Sequence, residues 1–176
     1  MKSPLKIIFL SIVLMAFSSS GFSQNNVFNI ARSGTVEELK ILVSNTPDVI
    51  NTKNENGFTP LILACYKGNI AVAKFLIKHS KTINTSSDMG TPLMAATYKG
   101  QEELVQLLLE KNANPNLADS NGTTPLIYAV MSRNTNIISL LLKYKADKAL
   151  RDKDGKTAFE FAVFSENQEI INQLKN

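Results

Sequence analysis

Cysteine and histidine are almost missing from this chain. Each occurs once, as Cys65 and His79. A single cysteine forms no internal disulfide, so packing has to supply the stability. A single histidine falls short of the pair that ligates zinc in many sites. A surplus of one charge is also lacking. The 176 residues carry 19 Lys and Arg against 15 Asp and Glu, a formal net charge of +4. Lys2 and Lys6 belong to an amino-terminal segment that contains no acid; without it the balance is 17 to 15, or +2. Nucleic-acid binding rests on several clustered phosphate contacts, and this balance offers no such footprint. No glycine-rich phosphate loop is present, because every glycine falls at a turn. After the amino-terminal segment no apolar run approaches the ~20 residues that span a bilayer. What remains is a chain with 44% apolar residues, enough for one packed domain.

The amino-terminal segment, MKSPLKIIFLSIVLMAFSSSGFSQ, has its own pattern. Lys2 and Lys6 make a positive start. Ile7 to Phe17 is apolar but for Ser11, and small or polar residues follow. Gly21 and Ser23 stand at the −3 and −1 sites of a cut before Gln24; cuts after Ser18 or Ser20 fit as well. The pattern predicts a secretory signal peptide over 1–23. A membrane anchor fits worse, since the apolar run is short and no stop-transfer segment follows. No cysteine lies near the cut to carry a lipid. The Ser-Gln junction is similar to those of exported bacterial proteins, which implies a periplasmic or secreted protein.

The rest of the chain repeats itself. Thr59-Pro60-Leu61 recurs as Thr91-Pro92-Leu93 and Thr124-Pro125-Leu126, with a weaker copy at Thr157-Ala158-Phe159. The spacings are 32, 33 and 33 residues. Gly57, Gly90, Gly122 and Gly155 precede the copies, and one residue is missing between Gly90 and Thr91. Leucine-rich runs follow at 75–77, 107–109 and 140–142. Each unit has a readable chemistry. A threonine hydroxyl caps a helix, and proline takes the first helical position, where its missing N–H is harmless. The helix through Leu93, Ala95, Ala96 and Thr97 ends near Gly100, at a left-handed turn. A second helix starts at Glu102 and carries Leu104, Val105, Leu107 and Leu108 on one face. Asn112, which tolerates a left-handed cap, and the Asn, Pro, Asp and Gly residues of 114–122 then form turns.

These features resemble the ankyrin repeat family. The TPL boxes carry the likeness, with Ala64-Cys65, Ala95-Ala96, Ala129 and Ala162, with Gly68 and Gly100, with the leucine runs, and with Asn-Ala-Asn-Pro-Asn at 112–116. Phe28 to Asn51 resembles a first, capping repeat, with Ala31 and Gly34 in register. The resemblance implies an all-α fold: an ankyrin-repeat solenoid of about five helix-turn-helix units with β-turn arms. The expected divisions are a domain over 24–176, with an amino-terminal cap at 24–53, internal repeats at 54–86, 87–118 and 119–151, and a carboxy-terminal cap at 152–176. Stacking is needed because one unit cannot bury its apolar face alone. The family box ends in histidine, but here that slot holds Ile62, Met94, Ile127 and Glu160. The junctions between repeats are therefore expected to lean more on apolar contact. Arg133 replaces the glycine between helices, and Ser80 and Lys145 replace the glycine after the second helix. Repeats two and four are expected to fray more at those turns.

Chemistry finds little purchase. A Cys–His nucleophile pair needs adjacency and an exposed thiol. Cys65 instead takes an interior alanine slot, and His79 falls at the end of a second helix, in the other layer. Asp88, Asp119 and the pair Asp152 and Asp154 precede the glycines, one such place per repeat. That spacing suits turn formation better than paired catalytic carboxylates or calcium binding. Two glycosylation-type triplets, at 84–86 and 121–123, are short and common by chance. No catalytic residue, metal site or cofactor is expected.

The end of the first helix is more telling. Tyr66-Lys67 and Tyr98-Lys99 occupy a register that, by the resemblance, commonly faces partners; Met131 and Phe164 are their counterparts in the next two repeats. The arm tips add Phe58 and Met89. Together Phe58, Tyr66, Lys67, Met89, Tyr98, Lys99, Met131 and Phe164 are expected to line a concave strip, where aromatic residues favour partner contact. Packing of Tyr66 on Tyr98 between repeats is the plainer reading of those two, and both readings can hold together. The function expected is an exported, monomeric, non-enzymatic module that binds a protein, and neither nucleic acid nor, once the leader is cut, a membrane. The alternative is an immunity or chaperone-like accessory that protects or restrains an exported enzyme or toxin.

Overall fold

The computed structural model describes residues 26–175. The expected leader over 1–23 and its cut lie outside them. The described chain is helical throughout, with only two isolated β-bridges, Ser87 with Gly90 and Arg151 with Thr157. Helix α1 covers 26–33. Helix α2 is Val36–Asn45, followed by a 3-10 turn at Pro47–Asn51. Four helix pairs follow: α3 (Pro60–Lys67) with α4 (Ile70–His79), α5 (Pro92–Tyr98) with α6 (Glu102–Glu110), α7 (Pro125–Met131) with α8 (Thr135–Lys143), and α9 (Ala158–Phe164) with α10 (Gln168–Lys175). The all-α repeat solenoid expected from the sequence is the observed architecture.

The first helix of each pair starts the same way. The hydroxyls of Thr59, Thr91, Thr124 and Thr157 accept the amides of Ile62, Met94, Ile127 and Glu160 at 3.2–3.3 Å. Each cap of this kind stabilises a helix by about 1 kcal/mol. In the last pair Glu160 also reaches back to the Thr157 amide at 2.6 Å, completing a capping box. The second helices begin at asparagines. Asn69, Asn134 and Asn167 cap α4, α8 and α10 through the amides of Val72, Ile137 and Ile170. No side chain caps α6, but Glu102 and Glu103 put negative charge in its first turn.

The pairs stack in two rows. Helices α3, α5, α7 and α9 pack one on the next, and α2, α4, α6 and α8 do the same. Between the rows runs one continuous core, with Leu61, Leu76, Leu93, Leu104, Leu108, Leu126 and Leu141 at 0–1% exposure. Burying such a side chain contributes about 1.5–3 kcal/mol. The small residues Ala64, Cys65, Ala95, Ala96, Ala129 and Ala162 are buried in the first-helix row, where they let neighbouring helices come close.

Polar contacts join the repeats as well, through a device that the sequence reading missed. Asn51 Oδ1 accepts the amide of Lys81 at 2.9 Å, Asn84 Oδ1 that of Asn114 at 2.8 Å, and Asn116 Oδ1 that of Asp147 at 2.7 Å. Each asparagine reaches into the following repeat, so a ladder runs along the stack. At the front, Asn69 Nδ2 donates to the carbonyls of Ile30 and Gly34 and ties the first pair to the second. The junctions therefore combine apolar packing with these bonds.

The arms use carboxylate and amide turns. Asp119 Oδ1 accepts the amides of Asn121 and Thr123, and Asp152 Oδ1 those of Asp154 and Lys156. Asn54 does the same for Asn56 and Phe58, so the first arm does without an aspartate. The third repeat, one residue shorter, closes its arm by the tight Ser87–Gly90 pairing instead.

Left-handed backbone appears where the sequence reading put it, and at some residues that bear side chains. Gly68 and Gly100 end the first helices at φ 77° and 66°, and Arg133 and Glu166 take the same conformation at 57° and 54°. Asn112 and Lys145 follow the second helices at φ 64°. Ser80 does not join them; its φ of −71° and ψ of 140° are extended.

Candidate functional site

The two single-copy residues stand apart from any chemistry. Cys65 lies fully buried on α3, and burial pushes its thiol up to about 12, so it stays protonated and unreactive. His79, at the end of α4, stacks on Phe75 with ring centres 4.1 Å apart and places Nδ1 2.7 Å from the Phe75 carbonyl. Among the described residues no three His, Cys, Asp or Glu side chains converge as they would to hold a metal ion. Nor, among them, is any helix long and apolar enough to cross a membrane.

The residues expected on the strip fall into two groups. Phe58, Tyr66, Met89 and Tyr98 meet in one open cleft of about 180 Å3 between the arms and the first-helix row. Ile62, Met94 and Ala95 supply its floor, and Tyr128 stands at its far side. The helical repeat explains this geometry. Tyr66 and Tyr98 each lie seven residues after their capping threonine, two turns into α3 and α5, so they emerge on the same face in adjacent repeats. Their rings stack with centres 6.2 Å apart and planes 9° apart. Tyr98 then meets Tyr128 edge to face at 5.9 Å. Aromatic pairs at such distances are worth about 0.5–1.5 kcal/mol beyond their buried area. Stacking between repeats does not hide the row, because Tyr98 remains 57% exposed.

Lys67 and Lys99 rim the cleft. Their ammonium groups sit 5.7 and 5.8 Å from the centre of the Tyr66 ring. Met131 and Phe164 continue the row on α7 and α9 but do not reach the cleft. Phe164 projects from the end of α9 with 90% of its surface exposed.

Tyr128 is the residue that the sequence reading missed. It lies four residues after Thr124, where the two preceding repeats have Leu63 and Ala95, so it belongs to a different register from Tyr66 and Tyr98. The readable signal was a large ring one repeat beyond a small alanine. Tyr128 is held in place: its hydroxyl donates to Asp119 Oδ2 at 2.7 Å, while the other oxygen of that carboxylate closes the arm turn. Burial first, then the bond to Asp119, raises the phenol well above its ordinary range, so it remains a donor at neutral pH.

The stack of helix pairs with threonine-proline starts, small inner residues and turn-rich arms is matched by sequence. The description of ankyrin repeats, built as three copies, fits residues 27–119 and again 93–176. The chain belongs to the ankyrin repeat family. Its similarities to individual proteins are partial. It is 34% identical over 101 residues to ankyrin repeat and SAM domain-containing protein 6 of Rattus norvegicus, covering 56% of this chain and 11% of that protein. It is 36% identical over 100 residues to 26S proteasome non-ATPase regulatory subunit 10 of Dictyostelium discoideum, covering 56% and 43%. To the ankyrin repeat protein YahD of Escherichia coli (strain K12) it is 36% identical over 93 residues, covering 49% and 46%. The chain thus spans less than half the length of each of these relatives. Ankyrin repeats are in general protein–protein interaction modules, and the family is typically non-enzymatic.

Proposed function

We propose that this ankyrin repeat protein is exported and acts as a monomeric, non-enzymatic binding module. Its concave face, centred on the cleft between Tyr66, Tyr98 and Tyr128, receives a protein partner. One observation carries the reading: Tyr98, Met89 and Phe58 line an apolar cleft that opens to solvent, while the side chains that frame it are fixed by stacking and by the Tyr128–Asp119 bond. Fixed aromatic anchors beside a pocket are the usual seat of binding energy in protein interfaces. The leader pattern supports export and a periplasmic or secreted location. The test is affinity capture of the tagged chain from the exported fraction of its own host, beside a Tyr66→Ala, Tyr98→Ala variant. One dominant partner, lost with the double variant while helical circular dichroism stays near that of the parent and melting remains cooperative and only modestly lower, is the expected result. Equal capture by both proteins, with a large loss of stability in the variant, would assign the tyrosines to structure alone.

A further inference from the structure

The cleft has a size and a charge of its own. A cavity of about 150 Å3 lined by apolar side chains takes up a benzene ring. At about 180 Å3 this open cleft has room for one ring or one branched aliphatic side chain. Its walls carry no charged group; the only side-chain polar atoms are tyrosine hydroxyls and the methionine sulfurs, and the Tyr128 hydroxyl is already bonded to Asp119. The occupant is therefore a single apolar side chain, not a polar ligand.

Charge is supplied at the rim. Lys67 and Lys99 bring two ammonium groups to the Tyr66 ring from adjacent repeats. Both side chains are exposed, and among the described residues neither is seen in an ion pair of the kind that joins Lys74 to Glu103, Lys81 to Asp48 or Arg151 to Glu160. The rim thus has two cations at the helix ends that no carboxylate neutralises. On the opposite side, at the arm tips, stand Glu55 and Asp88 with Lys53. Positive charge is concentrated on the helix side of the cleft.

We infer that the partner presents an extended acidic segment in which one leucine-sized or aromatic side chain, flanked by Asp or Glu, enters the cleft while its carboxylates meet Lys67 and Lys99. This inference rests on the cleft being the partner site and adds the chemistry of what enters it. Apolar burial supplies the anchor, and the two cations select the sign of the flanking charge.

The test uses the chain without its leader, immobilised, and a random peptide display library. The expected outcome is enrichment of segments with one large apolar residue within two positions of Asp or Glu. A peptide made from that consensus should bind the parent chain. It should bind a Lys67→Glu, Lys99→Glu variant about tenfold more weakly, the loss shrinking as salt rises. Replacing the peptide's acids by lysines should reverse that preference. Loss of binding with Tyr66→Ala, Tyr98→Ala but not with the charge reversal would overturn the acidic partner and leave the cleft as the binding site. Enrichment indifferent to both variants, or no enrichment, would overturn the inference and remove the cleft as a reader of linear segments. Self-association of the chain, abolished by Phe164→Ala, would also overturn it by giving the cleft to a second copy. Thermal melting that shows each variant folded at the binding temperature keeps these outcomes separate from unfolding.

Discussion

Repeats two and three share a backbone with repeats four and five but dress it differently. In the front half the turn between helices is made by Gly68 and Gly100, and the helix row above it carries Tyr66 and Tyr98. In the rear half the same left-handed turn is made by Arg133 and Glu166, and the row carries Met131 and Phe164. The fold therefore dictates the turn, and the residue adapts to it. Side chains that do not serve the fold are free to differ, and their difference locates the cleft. The stacked tyrosine rings lie in the front half, beside a cleft that Tyr128 of the fourth repeat closes, while Met131 and Phe164 of the rear half are exposed and do not line it.

This contrast can be broken by substitution. The largest effect is expected in binding. Truncating Tyr66 and Tyr98 together to alanine should weaken capture of the partner by at least 2 kcal/mol, as the loss of hot-spot aromatics does. Truncating Met131 and Phe164 should cost less, and titration against the isolated partner compares the two. Next come the turns. Gly100→Ala places a side chain at φ 66° with nothing closer than the Asn134 amide at 3.8 Å, so its net loss of about 1 kcal/mol reports backbone strain, less alanine's smaller freedom in the unfolded chain, and no steric clash. Arg133→Gly should act in the opposite direction. Relief of left-handed strain, less glycine's extra freedom in the unfolded chain, leaves a gain of about 0.5 kcal/mol. Urea denaturation of both variants measures the pair.

A smaller difference lies inside the first-helix row. Thr97 is fully buried, and its hydroxyl has no hydrogen-bond partner among the described residues. The next repeat has Val130 at the same register, also fully buried. Thr97→Val should therefore stabilise the chain by about 1 kcal/mol, read as a rise in melting temperature. The smallest effect concerns pH. Bonds from Thr157, first from its amide and then from its hydroxyl, hold the Glu160 carboxyl below the usual carboxylate range, with a lesser contribution from Arg151. A depressed carboxyl contributes stability above its unfolded pKa and loses it as pH falls through the folded one. The rear end should thus lose a little stability on acidification below the ordinary glutamate range. Glu160→Ala should flatten that part of the curve, and melting temperatures measured from neutral to acid pH check it.

How much of this was legible in the sequence follows from what each feature depends on. The helices were readable because their signals are local: Thr59, Thr91 and Thr124 each precede a proline, and the caps and proline starts need no distant partner. Arg133 and Lys145 were marked as departures, and the turn at each was kept by the demands of its neighbours. The asparagine ladder was not foreseen, because Asn84 and Asn116 look like ordinary turn residues until the next repeat is laid beside them. Four of the eight strip residues meet in the cleft and two rim it: Tyr66 with Tyr98, and Lys67 with Lys99, share an offset from the capping threonine that puts each pair on one face, and the arms bring Phe58 and Met89 against them. Tyr128 escaped because it enters from another offset, and its position depends on Asp119 in the preceding arm.

The central claim is that the partner lies against the cleft, and site-specific photo-crosslinking tests it most directly. A photoreactive phenylalanine analogue would replace Tyr98 in one variant and Gln106, exposed on α6 in the other row, in a second, each expressed in the native host and illuminated in intact cells. Position 98 should give one dominant protein adduct and position 106 none. An adduct from position 106 with none from position 98 would contradict the claim and move the binding surface to the second-helix row.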